Sequence, residues 1–251
     1  MMNNAHLVFT RYSRAAFSLP ELLVSIGIIA LLLTLALPSL ASSRMRARSL
    51  QSSLNTRTLG QLIFTYCDDF REAFPVPILD QLYPANDESF RIAYPYWQVT
   101  RTWTGPMYYY LPYDKHHATY LSPGAKSSRD ILGDWPTSYH LSTTVAADPA
   151  LWSAVQPSNP DSFVRHGRVA DLRFPSKKGL LWDSELAYIR TRRFVQYDLA
   201  TDSPMMMGDQ SVSLRKPSDA VEPVVNLLNS SGSGELRVHN TPMGLAGVDY
   251  N

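Results

Sequence analysis

Carboxylates, imidazoles and thiols close together in a sequence are where catalysis or metal binding would begin, and this chain offers few such groupings. The run PYDKHH holds Asp114, His116 and His117. Carboxylate and imidazole both bind transition metals. Adjacent histidines on a strand point to opposite faces, however, which works against a shared ion. The run WDSE sets Asp183 two residues before Glu185, either as carboxylate ligands or as a solvated turn. Cys67 is the one cysteine. It allows no disulfide within these residues and no cysteine-based zinc site, and a helical position gives it the part of a small buried apolar side chain. Met205–Met207 reads as an apolar loop patch or core filler. The patterns G-x-S-x-G, G-x-x-x-x-G-K-[ST] and H-E-x-x-H do not occur, so the common hydrolase, phosphate-loop and zinc-protease chemistries have no foothold. No catalytic activity is expected.

The most informative acid is Glu21. It is the one formal charge in the run Phe17–Leu40, FSLPELLVSIGIIALLLTLALPSL. As a helix this run would extend about 36 Å, enough to cross a hydrocarbon core of about 30 Å. A cleaved secretory signal fits less well. The apolar stretch exceeds the ~7–15 residues of an ordinary signal core, and Ala36–Ala41 makes a poor cleavage site. A carboxylate at membrane depth is costly and calls for a partner. If the chain is cut before Phe17, Glu21 becomes the fifth residue. The new α-amino group of one subunit can then sit beside Glu21 of its neighbour in a staggered helical bundle, relieving two buried charges and fixing the axial register. The other reading keeps Glu21 near the interface, in reach of water.

The composition is that of a globular chain with an anchor. It has 251 residues, 45% of them hydrophobic, and a net charge of +1. That balance argues against a general nucleic-acid binder, which needs a basic excess. The 18 prolines against 12 glycines favour irregular loops over long regular elements.

The segment RAAFSLPELLVSIGIIALLLTLALP resembles the prepilin N-terminal cleavage and methylation motif of type IV pilin-like proteins. In that family a short basic leader ends in a small residue, followed by Phe, a Ser or Thr, two apolar residues and Glu at mature position five. Here the leader is residues 1–16, with Ala16 where glycine is usual, then Phe17 and Glu21. Pro38 falls where pilins often carry a helix-kinking proline. The resemblance implies cutting between Ala16 and Phe17 by a membrane prepilin peptidase, which usually also N-methylates the new Phe17 amine. It implies assembly through Glu21 and Pro38. The partners it implies are other pilin or pseudopilin subunits, an inner-membrane assembly platform and membrane lipid, with no nucleic acid. It places the chain as a single-pass inner-membrane protein with its head in the periplasm or outside the cell. Arg11 and Arg14 agree with a cytoplasmic N-terminus. Arg44, Arg46 and Arg48 beyond the span pull the other way by charge counting, and read as headgroup or neighbour contacts.

These features need a long stem and a covering head. Residues 39–74 contain no proline. Leu50, Leu54, Leu59, Leu62, Ile63, Tyr66, Cys67 and Phe70 recur at three- and four-residue steps, the pattern of an amphipathic helix. Gly60 weakens it by roughly 1 kcal/mol relative to alanine. The helix is expected to start near Pro20 and end near Glu72, since Pro75 disfavours helix at Phe74. Its apolar stripe needs a sheet to cover it. Strand-like runs are Gly167–Phe174, Gly179–Trp182, Ala187–Arg190, Val224–Leu228 and Glu235–His239. The last two, joined by SSGSG, read as a hairpin. Phe74–Pro112 is rich in aromatics: Tyr83, Tyr94, Tyr96, Trp97, Trp103, Tyr108, Tyr109 and Tyr110. They form either a packed irregular region or a platform for stacking carbohydrate.

The expected fold is α+β: a long N-terminal helix, half membrane and half amphipathic, on a small antiparallel sheet with long irregular loops. The expected organisation is a leader at 1–16, a transmembrane or filament-core helix at 17–40, an amphipathic stalk at 41–73 and a soluble head at 74–251. The head segment RVADLRFPSKKGLLWD is similar to large pseudopilin-like proteins, as is the strand–turn–strand region 226–239, where SSGSG stands for a turn often written Asp-Gly-His. That likeness suggests a pseudopilin of a type II secretion-like apparatus rather than a major pilus subunit, and the expected function is a structural subunit of a type II secretion or type IV pilus-like filament. Major pseudopilins often bind calcium through late loop oxygens, for which Asp249 and the carbonyls of Gly244–Gly247 are the candidates; no other cofactor is expected. The alternative function is a membrane-anchored binding module whose aromatic head recognises a glycan or an exported cargo.

Overall fold

The computed structural model describes residues 18–76, 99–125, 137–153, 158, 160–189, 200–226 and 236–251. The chain divides into two compact units, 1–44 and 45–251. Helix α1 (Leu19–Asp69) runs through both, with Pro38 inside it. Its apolar first part is long enough to cross a membrane, with a mean hydropathy of 2.4 over its most apolar 18 residues. In this first unit the described residues are exposed throughout.

In the second unit, the stretch of α1 after Met45 turns one face inward. Ser52, Asn55, Thr56, Leu59, Gly60, Ile63, Phe64, Tyr66 and Cys67 are buried, at the three- and four-residue spacing of a helix face. Leu50 and Leu54, expected in that stripe, are instead 63% and 50% exposed. Leu59 follows Leu50 by nine residues, about two and a half turns, so Leu50 and Leu54 lie on the side of the helix away from the buried face; Phe70, also expected in the stripe, is 50% exposed. The helix stops at Asp69, a little earlier than expected. Arg71 and Glu72 take left-handed backbone, and the Glu72 N–H returns to the Cys67 carbonyl at 2.7 Å, closing the last turn.

The covering sheet is a four-stranded antiparallel meander, β1 (Tyr139–Leu141), β2 (Gly179–Asp183), β3 (Ser203–Met207) and β4 (Val212–Arg215), in that spatial order. Trp182 pairs with His140 on one side and Met205 on the other. Every residue of β1, β2 and β3 is buried. Leu59, Ile63 and Phe64 of α1 share one core with Leu141, Leu180, Leu181 and Met206 of the sheet. Gly60 is the point of closest approach: a Cβ there would stand 1.8 Å from Met206 Sδ. The glycine that weakens the helix is thus what lets the helix meet β3. Two short helices flank the sheet, α2 (Val99–Thr102) and α3 (Tyr113–Tyr120).

Of the expected strands, Gly179–Trp182 is β2. Gly167–Phe174 is not a strand. Asp171 accepts from the Arg168 N–H at 2.9 Å and from Arg165 Nη1 at 2.9 Å, folding Val169–Asp171 into a 3₁₀ turn. Ala187–Ile189 is a turn as well, and Arg190 lies outside the described residues. The tip of the expected hairpin, 227–235, also lies outside them. Of its described ends, Leu236–His239 is a turn, and the Val224 N–H reaches the Asn240 carbonyl at 2.8 Å. Met205–Met207 is no loop patch but a buried strand of the sheet.

Candidate functional site

The described N-terminus of α1 is a reciprocal cap. Ser18 donates both its N–H (3.1 Å) and its hydroxyl (2.8 Å) to Glu21 Oε2, and its Oγ accepts from the Glu21 N–H at 3.4 Å. A serine followed three positions later by glutamate satisfies two helix-start N–H groups at once. The carboxylate also sits where the helix dipole favours negative charge. Both residues are exposed. Glu21 therefore caps the start of the helix. Ala16 and Phe17 lie outside the described residues.

The apolar side chains that follow are exposed. Leu19 is 76% exposed, Leu31 61%, Leu37 60% and Leu40 48%. Thr34 and Ser25 turn their hydroxyls back onto the carbonyls of Leu31 (2.7 Å) and Glu21 (2.8 Å), so neither presents a free polar group sideways. By length and composition this stretch can cross a membrane.

In the second unit, Asp183 is neither a ligand nor part of a solvated turn. It is fully buried and accepts from Ser52 Oγ of α1 at 2.6 Å, Ser122 Oγ at 2.7 Å, and the N–H groups of Leu186 (2.9 Å) and Glu185 (3.1 Å). Burial pushes its carboxyl up, while these donors pull the other way. The end of β2 is thereby tied to the stem. Glu185 is half-buried and accepts from Ser138 Oγ.

Asp249 is equally buried, and its charge is matched inside the chain. Lys178 Nζ lies 2.8 Å from Oδ2, with both side chains fully enclosed. The Gly179 N–H adds a bond at 2.9 Å and the Thr241 hydroxyl another. Lys178 completes its three donors on Thr241 Oγ1 (2.5 Å) and the Val238 carbonyl (3.2 Å). Burial lowers its pKa and Asp249 opposes that. The ammonium occupies the position a cation would take at this carboxylate. The loop at Gly244–Gly247 is tightly packed: a Cβ at Gly247 would stand 1.9 Å from the Pro242 carbonyl oxygen.

Nearby lies a cluster with no counterpart among the sequence candidates. His140, His239 and Trp182 pack ring to ring, with centroids 4.5 Å apart for Trp182–His239 and 6.0 Å for His140–His239. Arg101 Nε donates to His140 Nε2 at 2.8 Å, and the Thr143 N–H donates to His239 Nδ1 at 3.2 Å. Burial, with Lys178 adding to it, depresses His239 to about 3. Burial, Arg101 and His239 lower His140. Both imidazoles are neutral core groups.

The remaining candidates are dispersed. Asp114, His116 and His117 lie on α3 rather than on a strand, all exposed. Cys67 is fully buried, its thiol pushed up to about 12 by burial and then by Asp68. Among the described residues no group of three or more His, Cys, Asp or Glu is placed to hold a metal. Of the aromatics, Trp103 is fully buried and Tyr109 is 71% exposed, while Tyr108 and Tyr110 are intermediate. Tyr110 donates to Asp69 at 2.7 Å. Tyr83, Tyr94, Tyr96 and Trp97 lie outside the described residues. Among the described residues no reactive constellation comes together; the capped apolar helix and the α+β head are the features that remain. The chain matches no known family model, no curated protein and no solved structure.

Proposed function

We propose that this chain is a membrane-anchored structural subunit of a filament, of the pseudopilin kind, in a type II secretion-like or type IV pilus-like apparatus. In this reading residues 1–16 are a leader removed by a prepilin peptidase between Ala16 and Phe17, and the new amine is methylated. The apolar half of α1 first sits in the inner membrane and then packs among copies of itself or related subunits. Glu21 pairs with a neighbour's terminal amine, and Pro38 shapes the helix. The head stands in the periplasm or outside the cell, and an inner-membrane platform drives assembly. The subunit carries out no chemistry of its own.

One observation carries the reading: α1 begins with a Ser18–Glu21 cap and continues through an apolar stretch whose side chains are exposed among the described residues. Each exposed leucine or isoleucine leaves about 1.5–3 kcal/mol of burial unrealised, so this stretch must find lipid or other helices. The sequence likeness to the prepilin motif supplies the specific processing. Mass spectrometry of the N-terminus of protein purified from membranes tests it. A chain beginning at N-methylated Phe17 is expected. An intact Met1, or a cut near Ala41, refutes it.

A further inference from the structure

We propose that Lys178 and Asp249 are the two ends of an intramolecular isopeptide cross-link, formed inside the folded head with loss of one water. The buried ion pair described above is its reactant. The step calls on no membrane and no partner chain.

The backbone fixes both side chains in place. The Asp249 N–H donates to the Lys177 carbonyl at 2.9 Å, and the Tyr250 N–H to the same oxygen at 3.2 Å. The Lys178 carbonyl accepts from the Gly208 N–H at 2.8 Å, and the Asp249 carbonyl from the Val221 N–H at 2.8 Å. Between these anchors Lys178 Nζ rests 2.8 Å from Asp249 Oδ2. Holding two reactants together in this way turns an encounter into a unimolecular step, with an effective concentration on the order of 10⁵ M or more.

The surroundings favour the amide. Both side chains are fully enclosed, beside a core of Trp182, Met205, Val238 and Tyr250. In water an ammonium and a carboxylate are preferred to their amide because both ions are hydrated. Burial withdraws that hydration, and the amide carries no formal charge. Burial also pulls the Lys178 pKa down, against the pull of Asp249, which brings the free amine within reach. The same exclusion of water protects the product from hydrolysis.

The polar neighbours stand where the step needs them. One ammonium proton passes to Oδ2 along the 2.8 Å contact, leaving an amine and a carboxylic acid. The Nζ lone pair then attacks Cγ, and the displaced electron pair moves onto Oδ1, which takes the proton of the Thr241 hydroxyl bonded to it. Thr241 Oγ1, 2.5 Å from Nζ, recovers a proton from the attacking nitrogen. As the Cγ–Oδ1 double bond re-forms, the Cγ–Oδ2 bond breaks, and the Oδ1 proton leaves with Oδ2 as water. Two of the three ammonium protons depart in that water, and the third stays on the amide nitrogen. The Gly179 N–H, 2.9 Å from Oδ2, stabilises charge on the leaving oxygen. The product fastens Asp249 covalently to the start of β2.

The test is intact-mass spectrometry of the full chain, purified in detergent, incubated folded and then denatured. A mass one water below that of its own sequence is expected. Digestion should release a branched peptide joining Lys178 to Asp249, with no tryptic cut after Lys178. Lys178→Met and Asp249→Ala should each abolish the water loss. Thr241→Val should slow it about a hundredfold, while Thr241→Ser keeps it. A parent chain at full mass with no branched peptide overturns the cross-link, whether or not the variants fold. A water loss that maps to a linear peptide, as in an aspartyl succinimide, overturns it as well. An unchanged rate in Thr241→Val overturns the proton relay.

Discussion

Removing the carboxylate of Asp249 is the most demanding test of the head. Lys178 and Asp249 are both fully buried, 2.8 Å apart, and the lysine ammonium has all three of its protons placed, on Asp249, Thr241 and the Val238 carbonyl. Asp249→Ala leaves a charge in the interior with only neutral oxygens around it. Breaking such a pair from one side costs about 3–5 kcal/mol. For a unit of this size each kcal/mol moves the melting temperature about 2–4 °C, so a fall of roughly 6–20 °C is expected. The double variant Lys178→Met with Asp249→Leu removes both charges and should recover part of that loss: the adjoining core of Trp182, Met205, Val238 and Tyr250 is apolar, while the Gly179 N–H and the Val238 carbonyl lose their partners. The pH dependence has a definite sign. The folded state holds the Lys178 pKa below its ordinary value, and without Asp249 it falls further. The unfolded chain then binds more protons than the folded one, and the variant regains stability as pH rises toward the ordinary lysine range. Thermal melts of the detergent-solubilised full chain, followed by tryptophan fluorescence at several pH values, read all three effects. A single variant within about 2 °C of the parent, or a double variant no better than the single one, refutes the reasoning.

Three further outcomes follow from the same structure. Glu21→Gln keeps an acceptor for the Ser18 cap and should leave helicity by circular dichroism unchanged, while the filament reading requires loss of assembly in pull-down or electron microscopy; intact filaments would remove Glu21 from the contact. Gly60→Ala drives a methyl group into Met206 Sδ and should cost about 1–3 kcal/mol, partly recovered by Met206→Ala, as denaturant titration would show. Asp183→Asn removes a group whose folded pKa is raised. Such a carboxyl favours folding most at low pH and loses that contribution as pH rises through the folded value, so the variant's stability should vary less with pH above the ordinary aspartate range.

The long helix was the legible part of the sequence. Its apolar run, Ser18-x-x-Glu21 spacing and proline-free continuation all act locally, over a few turns. The sheet was harder to read. β2 announces itself as Gly-Leu-Leu-Trp, but β3 contains Pro204 and three methionines, a composition depleted in usual strand formers. It is a strand because β2 and β4 pair with it on both sides and Gly60 admits Met206. The run Gly167–Phe174 alternates as a strand should, yet Asp171 captures its backbone locally. Leu50, Leu54 and Phe70 recur at helical steps, but which side of the stem the head covers is a tertiary matter. Asp183, Asp249 and Lys178 resemble surface charges in sequence. Their burial depends on partners tens of residues away, which no local pattern encodes.

The bond from Ser52 to Asp183 joins residues 131 positions apart. On a ribosome adding about 5–20 residues per second, the stem therefore waits roughly 7–26 s for the segment that secures it. During that interval Leu59, Ile63 and Phe64 have emerged while β2 and β3 have not, and their stripe faces solvent. The apolar run ahead of them has by then had time to enter a bilayer. In the anchored reading proposed above, the head folds as a tethered chain while the apolar side of its own stem is still bare.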